Sequence, residues 1–432
     1  MAYACTPFLR NMVPALLALW QLVVCAPARA DERALDLASA ETITLSGDLR
    51  IAAVDGEQSW VEDEFGKLRH GGSVDGSIRV RPELGHAAVA WQPRLTWSLS
   101  GTVVAAVQGG ERIEAGLSEA YLTFKPLADG KVKVSARAGL MYPPISLEHG
   151  GADWSTTETI TPSAINTWVS EEVKVTGVEA SVRAQVGEHV LTASGAIFDM
   201  NETAGALVAL RGWAMHDRLG LAFHAQPVPR LNTFMSFVQP RFTHPVIAID
   251  HGFMSRPGYY AKLAWDLPSA IHIEALHYDN KGTPDDVNAD LEWGWRTRFD
   301  NIGLVADLAP GWRLKAQALA GRTEMGDDIA EVYWVETRFR AAYALLTRTF
   351  NSGSISLRGD LFGTRNSGSA LLADDDEDGW ALTFAARRRL ATNFTAVGEF
   401  LHIESTRQAR LRSGLSPRQE QNQLQLALRV NW

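Results

Sequence analysis

The last fourteen residues of the chain, Gln419–Trp432, end in a regular alternation between polar and apolar side chains. The apolar positions are Leu424, Leu426, Leu428, Val430 and Trp432, and the polar positions are Gln421, Gln423, Gln425, Arg429 and Asn431. A period of two is typical of a β-strand with one apolar and one polar face. The pattern continues to a terminal aromatic residue, which favours the closing strand of a transmembrane barrel. Such a strand pairs along its whole length, and its aromatic end lies at the bilayer interface.

The same alternation recurs in segments of ten to fourteen residues, a length that suits tilted strands crossing a bilayer. Examples are Lys131–Tyr142, Asp290–Phe299 and Val332–Leu345. The connections alternate in length between short turns and long polar loops. The short turns are Pro126–Gly130, Gly187-Glu188, Pro268-Ser269, Ala309–Gly311, Asn351–Gly353 and Ala391-Thr392. The long loops are Pro143–Ser170, Asn280–Ala289, Glu324–Ala330, Asn366–Asp378 and Thr406–Arg418.

These patterns predict an all-β fold: a transmembrane antiparallel up-and-down β-barrel with short periplasmic turns and long extracellular loops. We expect 16 strands. A count of 18 stays open, because five prolines between Arg211 and Pro257 interrupt the alternation there. Aromatic residues beside the short turns are predicted to form the periplasmic girdle. They are Trp91, Trp265, Trp312, Phe350, Phe394 and Trp432.

Two soluble architectures compete with the barrel. A solenoid requires a fixed repeat, and the chain has none. A secreted β-sandwich has loops of similar length at both ends, whereas the loops here differ. A soluble periplasmic β-protein is therefore the third hypothesis, after the two membrane hypotheses given below.

The N-terminus predicts export from the cytoplasm. Arg10 precedes an apolar run over residues 12–26, and Ala28-Arg29-Ala30 is an A-x-A cleavage site. Residues 1–30 are therefore interpreted as a signal peptide and residues 31–432 as the barrel domain, placed in the bacterial outer membrane after cleavage near Ala30. A lipoprotein that uses Cys25 is the alternative, although Val24 is a poor residue before a lipidated cysteine. Both cysteines, Cys5 and Cys25, lie in this segment, so we expect no disulfide in the barrel.

The acidic charge balance changes the list of partners. The full chain has 41 basic and 50 acidic residues, and the predicted signal peptide carries Arg10 and Arg29 and no acid, so the remainder has a net charge of 39 − 50 = −11. This balance argues against nucleic acid as a partner. The expected partners are outer-membrane lipid, lipopolysaccharide and small polar or anionic solutes.

Polar positions of a transmembrane barrel face the lumen and apolar positions face lipid. This rule assigns twelve basic residues to the pore wall. They are Arg79, Arg81, Lys131, Lys133, Arg137, Arg183, Arg296, Arg298, Arg338, Arg340, Arg358 and Arg429. Guanidinium groups bind carboxylate or phosphate bidentately and keep their charge, so an arginine-lined wall favours anion passage. In the alternative interpretation these arginines pair across strands with acids such as Glu179 and Asp360 and only solvate the lumen.

The loop Pro143–Ser170 is the longest connection in the N-terminal half, and its candidate constriction residues are Pro143, Pro144, Glu148, Asp153 and Glu158. Gly139 through Glu148 resembles the porin O/P family of phosphate- and polyphosphate-selective channels, in which a strand ends in Gly, an aromatic residue, Pro-Pro and Leu-Glu. The resemblance implies a 16-stranded homotrimeric barrel whose loop folds inward and narrows the pore. Tyr142 stands where the family has Lys, and the loop is more acidic than basic. The resemblance therefore implies a channel rather than phosphate selectivity.

The sequence contains no complete metal-binding or catalytic motif of the common types. Asp374, Asp376 and Asp378 resemble the first half of a calcium loop, but the expected twelfth-position ligand is Ala385. These aspartates are interpreted mainly as a solvated loop, and no cofactor is expected. The sequence contains no G-x-S-x-G, H-E-x-x-H or P-loop motif. A hydrolase that assembles Ser, His and Asp from separate strands would show no such motif.

The sequence therefore supports two membrane hypotheses. The first is a non-enzymatic outer-membrane channel, or porin, for passive diffusion of small polar, in particular anionic, solutes. The second is a non-channel outer-membrane barrel with a plugged lumen, either an enzyme or a surface-interaction protein. A plug would require bulky apolar residues facing inward, whereas the inward positions assigned here are mostly polar.

Overall fold

The computed structural model describes residues 42–110, 113–126, 130–151, 153–199, 204–222, 224–229, 240–244, 256–329, 332–368 and 375–432. The predicted signal peptide lies outside these residues. Within them, sixteen antiparallel strands form one closed barrel. The fold class predicted from the alternation is confirmed, and the strand count is 16.

The strands follow one another around the barrel in chain order. They are β1 Thr42–Val54, β2 Arg79–Gln92, β3 Leu99–Gln108, β4 Glu114–Phe124, β5 Val132–Met141, β6 Val175–Val186, β7 His189–Asp199, β8 Gly258–Leu267, β9 Ile271–Asp279, β10 Arg296–Ala309, β11 Trp312–Ile329, β12 Val332–Phe350, β13 Gly353–Asn366, β14 Glu377–Ala391, β15 Phe394–Arg407 and β16 Arg418–Asn431. The C-terminal strand β16 pairs with β1 and closes the sheet. Leu45 and Trp432 exchange backbone hydrogen bonds of 2.9 and 2.8 Å at this seam. Closure removes the free strand edges that a bilayer cannot hydrate.

The proline-rich region explains why the count is 16. Strand β7 pairs directly with β8 although about sixty residues separate them in the chain. In the described part of this region, two-residue strands at Gln226–Pro227 and Phe242–Thr243 pair only with each other. Two predictions were wrong. The predicted strand segment Asp290–Phe299 is a strand only from Arg296 onward, and the predicted loop Glu324–Ala330 is largely strand, because β11 continues to Ile329 and pairs with the start of β12.

The connections divide the barrel into two ends. The turns at Gly187, Gly311 and Ser352 lie at the end where the C-terminus lies, which we call the turn end, and the long connections lie at the opposite loop end. Gly187 and Gly311 have φ of +63° and +75°, a conformation that glycine adopts without strain in tight hairpin turns.

The outer surface is apolar. Leu263, Leu361 and Leu426 are 68, 66 and 60% exposed on it, which is the pattern of a wall that faces lipid rather than water. The predicted girdle aromatics point outward near the turn end, as expected. Among the described residues, no helix has the length and apolar character needed to cross a bilayer.

The interior is occupied by three segments that enter from the loop end. They cover residues 55–78, 142–174 and 204–222. The second contains the short helix α1, Ala164–Thr167, and a π-helical turn, Trp168–Glu172; the third contains helix α2, Ala204–Leu210. Their side chains pack against inward-facing residues of distant strands, so the barrel has a protein core on the side of its loop end.

Candidate pore constriction and vestibule

The inserted loop, residues 142–174, leaves β5 and returns to the neighbouring strand β6. Ser163 caps α1 by accepting a hydrogen bond from the backbone amide of Asn166 at 3.2 Å. Asn166 then donates from Nδ2 to Gln317 Oε1 on β11 at 2.8 Å. The loop thus reaches a strand that is six positions around the barrel from β5 and crosses the lumen.

Arg358 on β13 is the main anchor of this loop. Its Nη1 donates to Glu148 Oε1 at 2.9 Å and to the carbonyl oxygen of Thr161 at 2.8 Å, and its Nη2 donates to the carbonyl oxygen of Pro162 at 3.0 Å. Its Nε donates to Asp360 at 2.8 Å. The side chain is fully buried. Burial alone would raise the pKa of Glu148, but the charge of Arg358 and hydrogen bonds hold that pKa below its ordinary value.

A second set of ion pairs joins the loop and the inserted segments to the closing seam. Arg429 donates to the carbonyl oxygen of Thr156 at 2.7 Å and to Asp48 at 3.0 Å. Arg50 donates to the same Asp48 at 3.0 Å and to Asp217 in the third segment at 2.6 Å. Arg358 and Arg429 face inward as predicted, but both are buried in contacts with protein rather than free to meet a solute.

An aromatic cluster fills the centre of the loop end. The ring centroid of Trp168 lies 4.8 Å from that of Phe339, 5.5 Å from that of Phe299 and 5.9 Å from that of Trp213. Trp168 donates from Nε1 to the carbonyl oxygen of Ala204 at 2.8 Å, so its polar group is satisfied. Phe299 and Phe339 therefore face the lumen, where they meet protein instead of water.

This cluster overturns four of the pore-lining assignments. Arg296, Arg298, Arg338 and Arg340 have the parity opposite to Phe299 and Phe339, so they point to the outside of the barrel. The rule that polar residues face the lumen assumes a water-filled interior. Here the interior beside the loop-end halves of β10 and β12 is an apolar protein core. The apolar face of each strand therefore points inward and the arginines point outward.

Three other assigned arginines face inward but are paired. Arg137 donates to both carboxylate oxygens of Glu179, at 2.8 and 3.0 Å. Arg79 and Arg81 share Glu62, at 2.8 and 3.0 Å, at the loop end of the lumen. They match the alternative interpretation, in which arginines and acids pair within the barrel.

The turn end differs, because basic side chains there are exposed within the barrel. Lys131, Lys133 and Arg183 lie on the inward parity near the turn end of β5 and β6, and all three are exposed. Lys133 and Arg183 lie directly opposite each other in the β5–β6 register. No ion pair joins these three residues to any other residue that the structure describes. We call this open turn-end part of the lumen the vestibule.

Two vestibule residues, Arg387 and Arg389 on β14, are absent from the pore-lining assignments. Their positions in the register with Val397 and Thr395 turn them inward. The run Arg387-Arg388-Arg389 obscures the alternation, but Ala381, Thr383 and Ala385 on the same parity could have revealed it.

The opposite wall of the vestibule contains a cavity of about 480 Å³. Its lining includes Glu158, Asp307, Arg313, Thr347 and Thr349. Glu158 comes from the inserted loop and pairs with Lys315 on β11 at 2.8 Å.

The other loop candidates serve the packing of the loop. The carbonyl oxygen of Pro144 accepts a hydrogen bond from Lys262 at 2.7 Å, and Pro143 is buried beside it. Asp153 lies 3.3 Å from the ring nitrogen of His86. Burial opposes ionisation of Asp153, but the hydrogen bond and charge of His86 lower its pKa to about 2. Of the five constriction candidates, Glu158 is therefore the one that faces the vestibule.

The acidic loop near residue 376 forms pairs with arginine. Asp378 accepts from Arg365 at 2.8 Å, Asp376 lies 3.5 Å from the same guanidinium, and Asp374 lies outside the described residues. Among the residues that the structure describes, no group of three or more His, Cys, Asp or Glu side chains is arranged to hold a metal ion.

Comparison with known proteins identifies the fold. No protein-family model and no curated protein matches the chain. The outer membrane channel DcaP of Acinetobacter baumannii is similar in structure, with 10% identity, a TM-score of 0.54 and coverage of 91% of this chain and 98% of that one. An anion-selective porin from Comamonas acidovorans (9% identity, TM-score 0.49, 91% and 99% coverage) and OmpF of Salmonella typhi in complex with daunomycin (9%, 0.48, 91% and 99%) are also similar. At these identities the likeness concerns the fold: this chain has the porin-type barrel of outer-membrane proteins.

Proposed function

We propose that this protein is an outer-membrane channel of the porin type that passes small anionic solutes by passive diffusion. The observation that carries the proposal is the vestibule, where Lys131, Lys133 and Arg183 are exposed inside a closed barrel and without ion-pair partners among the described residues. A basic wall inside a low-dielectric barrel concentrates anions at the mouth of the channel.

The arrangement of these charges lowers the stability of the barrel. A functional role for the charges would explain why they are present. Like charges directly opposite on neighbouring strands repel each other, and Lys133 and Arg183 are such a pair. By contrast, Arg137 and Arg358, which face inward closer to the loop end, each have a carboxylate partner. Leaving the vestibule arginines and lysines free keeps their charge available to a solute.

The setting of the channel follows from the same proposal. The turn end faces the periplasm and the loop end faces the medium, after removal of residues 1–30 near Ala30. Outer-membrane lipid and lipopolysaccharide surround the barrel, and three copies form a homotrimer. The likeness of Gly139–Glu148 to the porin O/P family and the shared fold with the channel DcaP support this setting. The protein acts without a cofactor and is not an enzyme.

Planar bilayer recording tests the proposal. Purified protein should give stepwise conductance, and reversal potentials in a salt gradient should show anion preference. Changing Lys131, Lys133 and Arg183 together to Gln should lower the anion-to-cation permeability ratio by about twofold or more. The matched control is Arg338→Gln with Arg340→Gln, which removes charge from the outside of the barrel and should leave the reversal potential unchanged. Equal shifts in both variants would contradict the proposed role of the vestibule.

A second function is favoured by the core at the loop end. Trp168, Trp213, Phe299 and Phe339 fill the lumen with apolar side chains, as expected for a plugged, non-channel barrel such as an enzyme or a surface-interaction protein. Absence of any conductance from folded, membrane-inserted protein would overturn the channel and support this second function. An increase in conductance after the contacts of the inserted loop with the barrel wall are weakened would instead show that this loop narrows an open channel.

A further inference from the structure

The four arginines that face outward, together with their neighbours, form a charged rim on β10–β13. Arg298 and Arg322 both form ion pairs with Glu324, each at 3.1 Å, so one carboxylate pairs with two guanidinium groups. Asp378 likewise serves Arg365 at 2.8 Å and Arg340 at 4.0 Å. Two of the acids in the rim are therefore shared, while Glu336 lies 3.9 Å from Arg338 and Asp376 lies 3.5 Å from Arg365.

Two of these arginines are held loosely. The side chain of Arg338 is 69% exposed and lies 3.9 Å from Glu336, and that of Arg340 is 72% exposed and lies 4.0 Å from Asp378. Neither distance is that of a hydrogen bond. Both guanidinium groups therefore keep most of their donors available on the outer surface.

The height of this pair on the barrel places it at a membrane interface. Arg340 is ten positions along β12 from Phe350, which lies in the turn-end girdle. At about 3.3 Å per residue and a tilt of about 40°, these ten positions span roughly 25 Å along the barrel axis, which is about the height of the apolar band of a membrane barrel. On the outward parity between the two residues, Ala342, Ala344 and Leu346 are apolar, and Arg348 lies in the girdle with its guanidinium carbon 5.6 Å from the ring centroid of Phe350. Arg340 thus lies at the loop-end edge of that band.

A groove lies directly below the arginines on the same outer face. It has a volume of about 650 Å³, and its lining includes Ala318, Ala342, Leu361 and Trp380, with Arg340 and Asp378 at its upper edge. The register aligns Ala318, Ala342, Leu361 and Trp380 across four neighbouring strands. The two alanines leave the floor low, whereas Leu361 and Trp380 project beside it.

We propose that this face binds one phosphate-bearing lipid of the surrounding leaflet, with the phosphate on Arg338 and Arg340 and an acyl chain in the groove. The free donors of Arg338 and Arg340 select the headgroup, because guanidinium groups match phosphate oxygens in geometry and charge. The adjoining groove selects a lipid over free phosphate, because Ala318, Ala342 and Leu361 in its lining offer apolar contact to a hydrocarbon chain. The inference rests on the barrel lying in a membrane, as in the proposed function, but not on the barrel conducting.

Binding of lipid A to the purified full-length protein in detergent tests the inference, measured by native mass spectrometry and by a titration. Diphosphorylated lipid A should bind wild-type protein, and Arg338→Gln with Arg340→Gln should weaken the Kd by about tenfold or more. The matched control removes the same number of charges inside the barrel: Lys133→Gln with Arg183→Gln should bind lipid A as wild type does. Dephosphorylated lipid A should bind weakly to all three proteins.

Two further binding measurements distinguish a lipid site from a site for free phosphate and from a contact between copies of the chain. Inorganic phosphate at millimolar concentration should not displace lipid A; full displacement would show a free-phosphate site and overturn the lipid. Ala342→Trp should fill the groove and weaken lipid A binding while leaving both arginines in place. Unchanged binding in the double-arginine variant would overturn the inference. Loss of oligomers in that variant without loss of lipid would assign this face to contact between copies of the chain.

Bilayer recording of the double-arginine variant keeps the two proposals apart. Wild-type conductance with lost lipid binding would support both, whereas retained lipid binding with no conductance in any variant would overturn only the channel.

Discussion

Arg358 illustrates how a single inward side chain in this barrel becomes part of the structure rather than of the pore. Its guanidinium is fully buried and satisfied by Glu148, Asp360 and two carbonyl oxygens. Alternation predicted its direction correctly, because parity is a local property of a strand. Its partner Glu148 lies 210 residues away in the chain, so the pairing depends on the path of the inserted loop.

Replacing Arg358 with Gln should lower the free energy of unfolding by about 3–5 kcal/mol, because it leaves the buried carboxylates of Glu148 and Asp360 without their cation. Urea unfolding of protein folded into lipid vesicles measures this. The control is Arg313→Gln, since Arg313 pairs with Asp307 but is 51% exposed, so its loss should cost about 0–1 kcal/mol. Similar costs for the two variants would show that Arg358 does not anchor the loop.

The strand is the element that the sequence predicts best. The closing strand β16 has its leucines outside and its glutamines inside, as its alternation indicates. On β10 and β12 the alternation is equally clear, but the side that faces the lumen is reversed. Alternation defines two faces of a strand, and the material that each face meets decides their direction. For β16 the outside is lipid; for β12 the inside is also apolar, because Trp168 packs there.

Leu426 offers a test at this scale. It lies six residues above Trp432, about 15 Å along the axis and near the middle of the apolar band. Leu426→Arg should therefore destabilise the folded barrel by about 2–4 kcal/mol in vesicles. Leu411, which is similarly exposed (57% against 60%) but lies in the loop-end 3₁₀ helix Gln408–Ser413, is the matched control, and Leu411→Arg should have little effect. Equal effects would mean that β16 does not face lipid.

At the scale of the whole molecule, the inserted segments make stability depend on pH. His216 is fully buried next to Glu172 Oε1, at 2.9 Å. Burial lowers its pKa to about 4, even though Glu172 acts in the opposite direction. The folded protein therefore keeps His216 neutral where the unfolded chain protonates it, so this contribution is complete above about pH 6.5 and is lost as the pH falls from about 6.5 to 4.

The free energy of unfolding, measured from pH 7.5 down to pH 5, should fall in the wild type and fall less in His216→Gln, with a difference of about 2 kcal/mol at pH 5. His277, which is outward-facing and exposed, provides the control: His277→Gln should keep the wild-type slope. A slope that is the same in all three proteins would exclude His216 as its source.

The sequence alone was sufficient to predict the class of barrel, the tight turns and the inward direction of residues such as Lys133, Arg183 and Arg358, but not the lengths of β11 and β12, which have 18 and 19 residues. The predicted features follow from alternation and turn chemistry, which act over a few residues. The entry of segments 55–78, 142–174 and 204–222 into the barrel is visible only in the folded molecule. Their entry depends on contacts between residues hundreds of positions apart. Because those segments bring an apolar core into the lumen, Arg296, Arg298, Arg338 and Arg340 turn outward, and the free basic residues gather in the vestibule at the turn end.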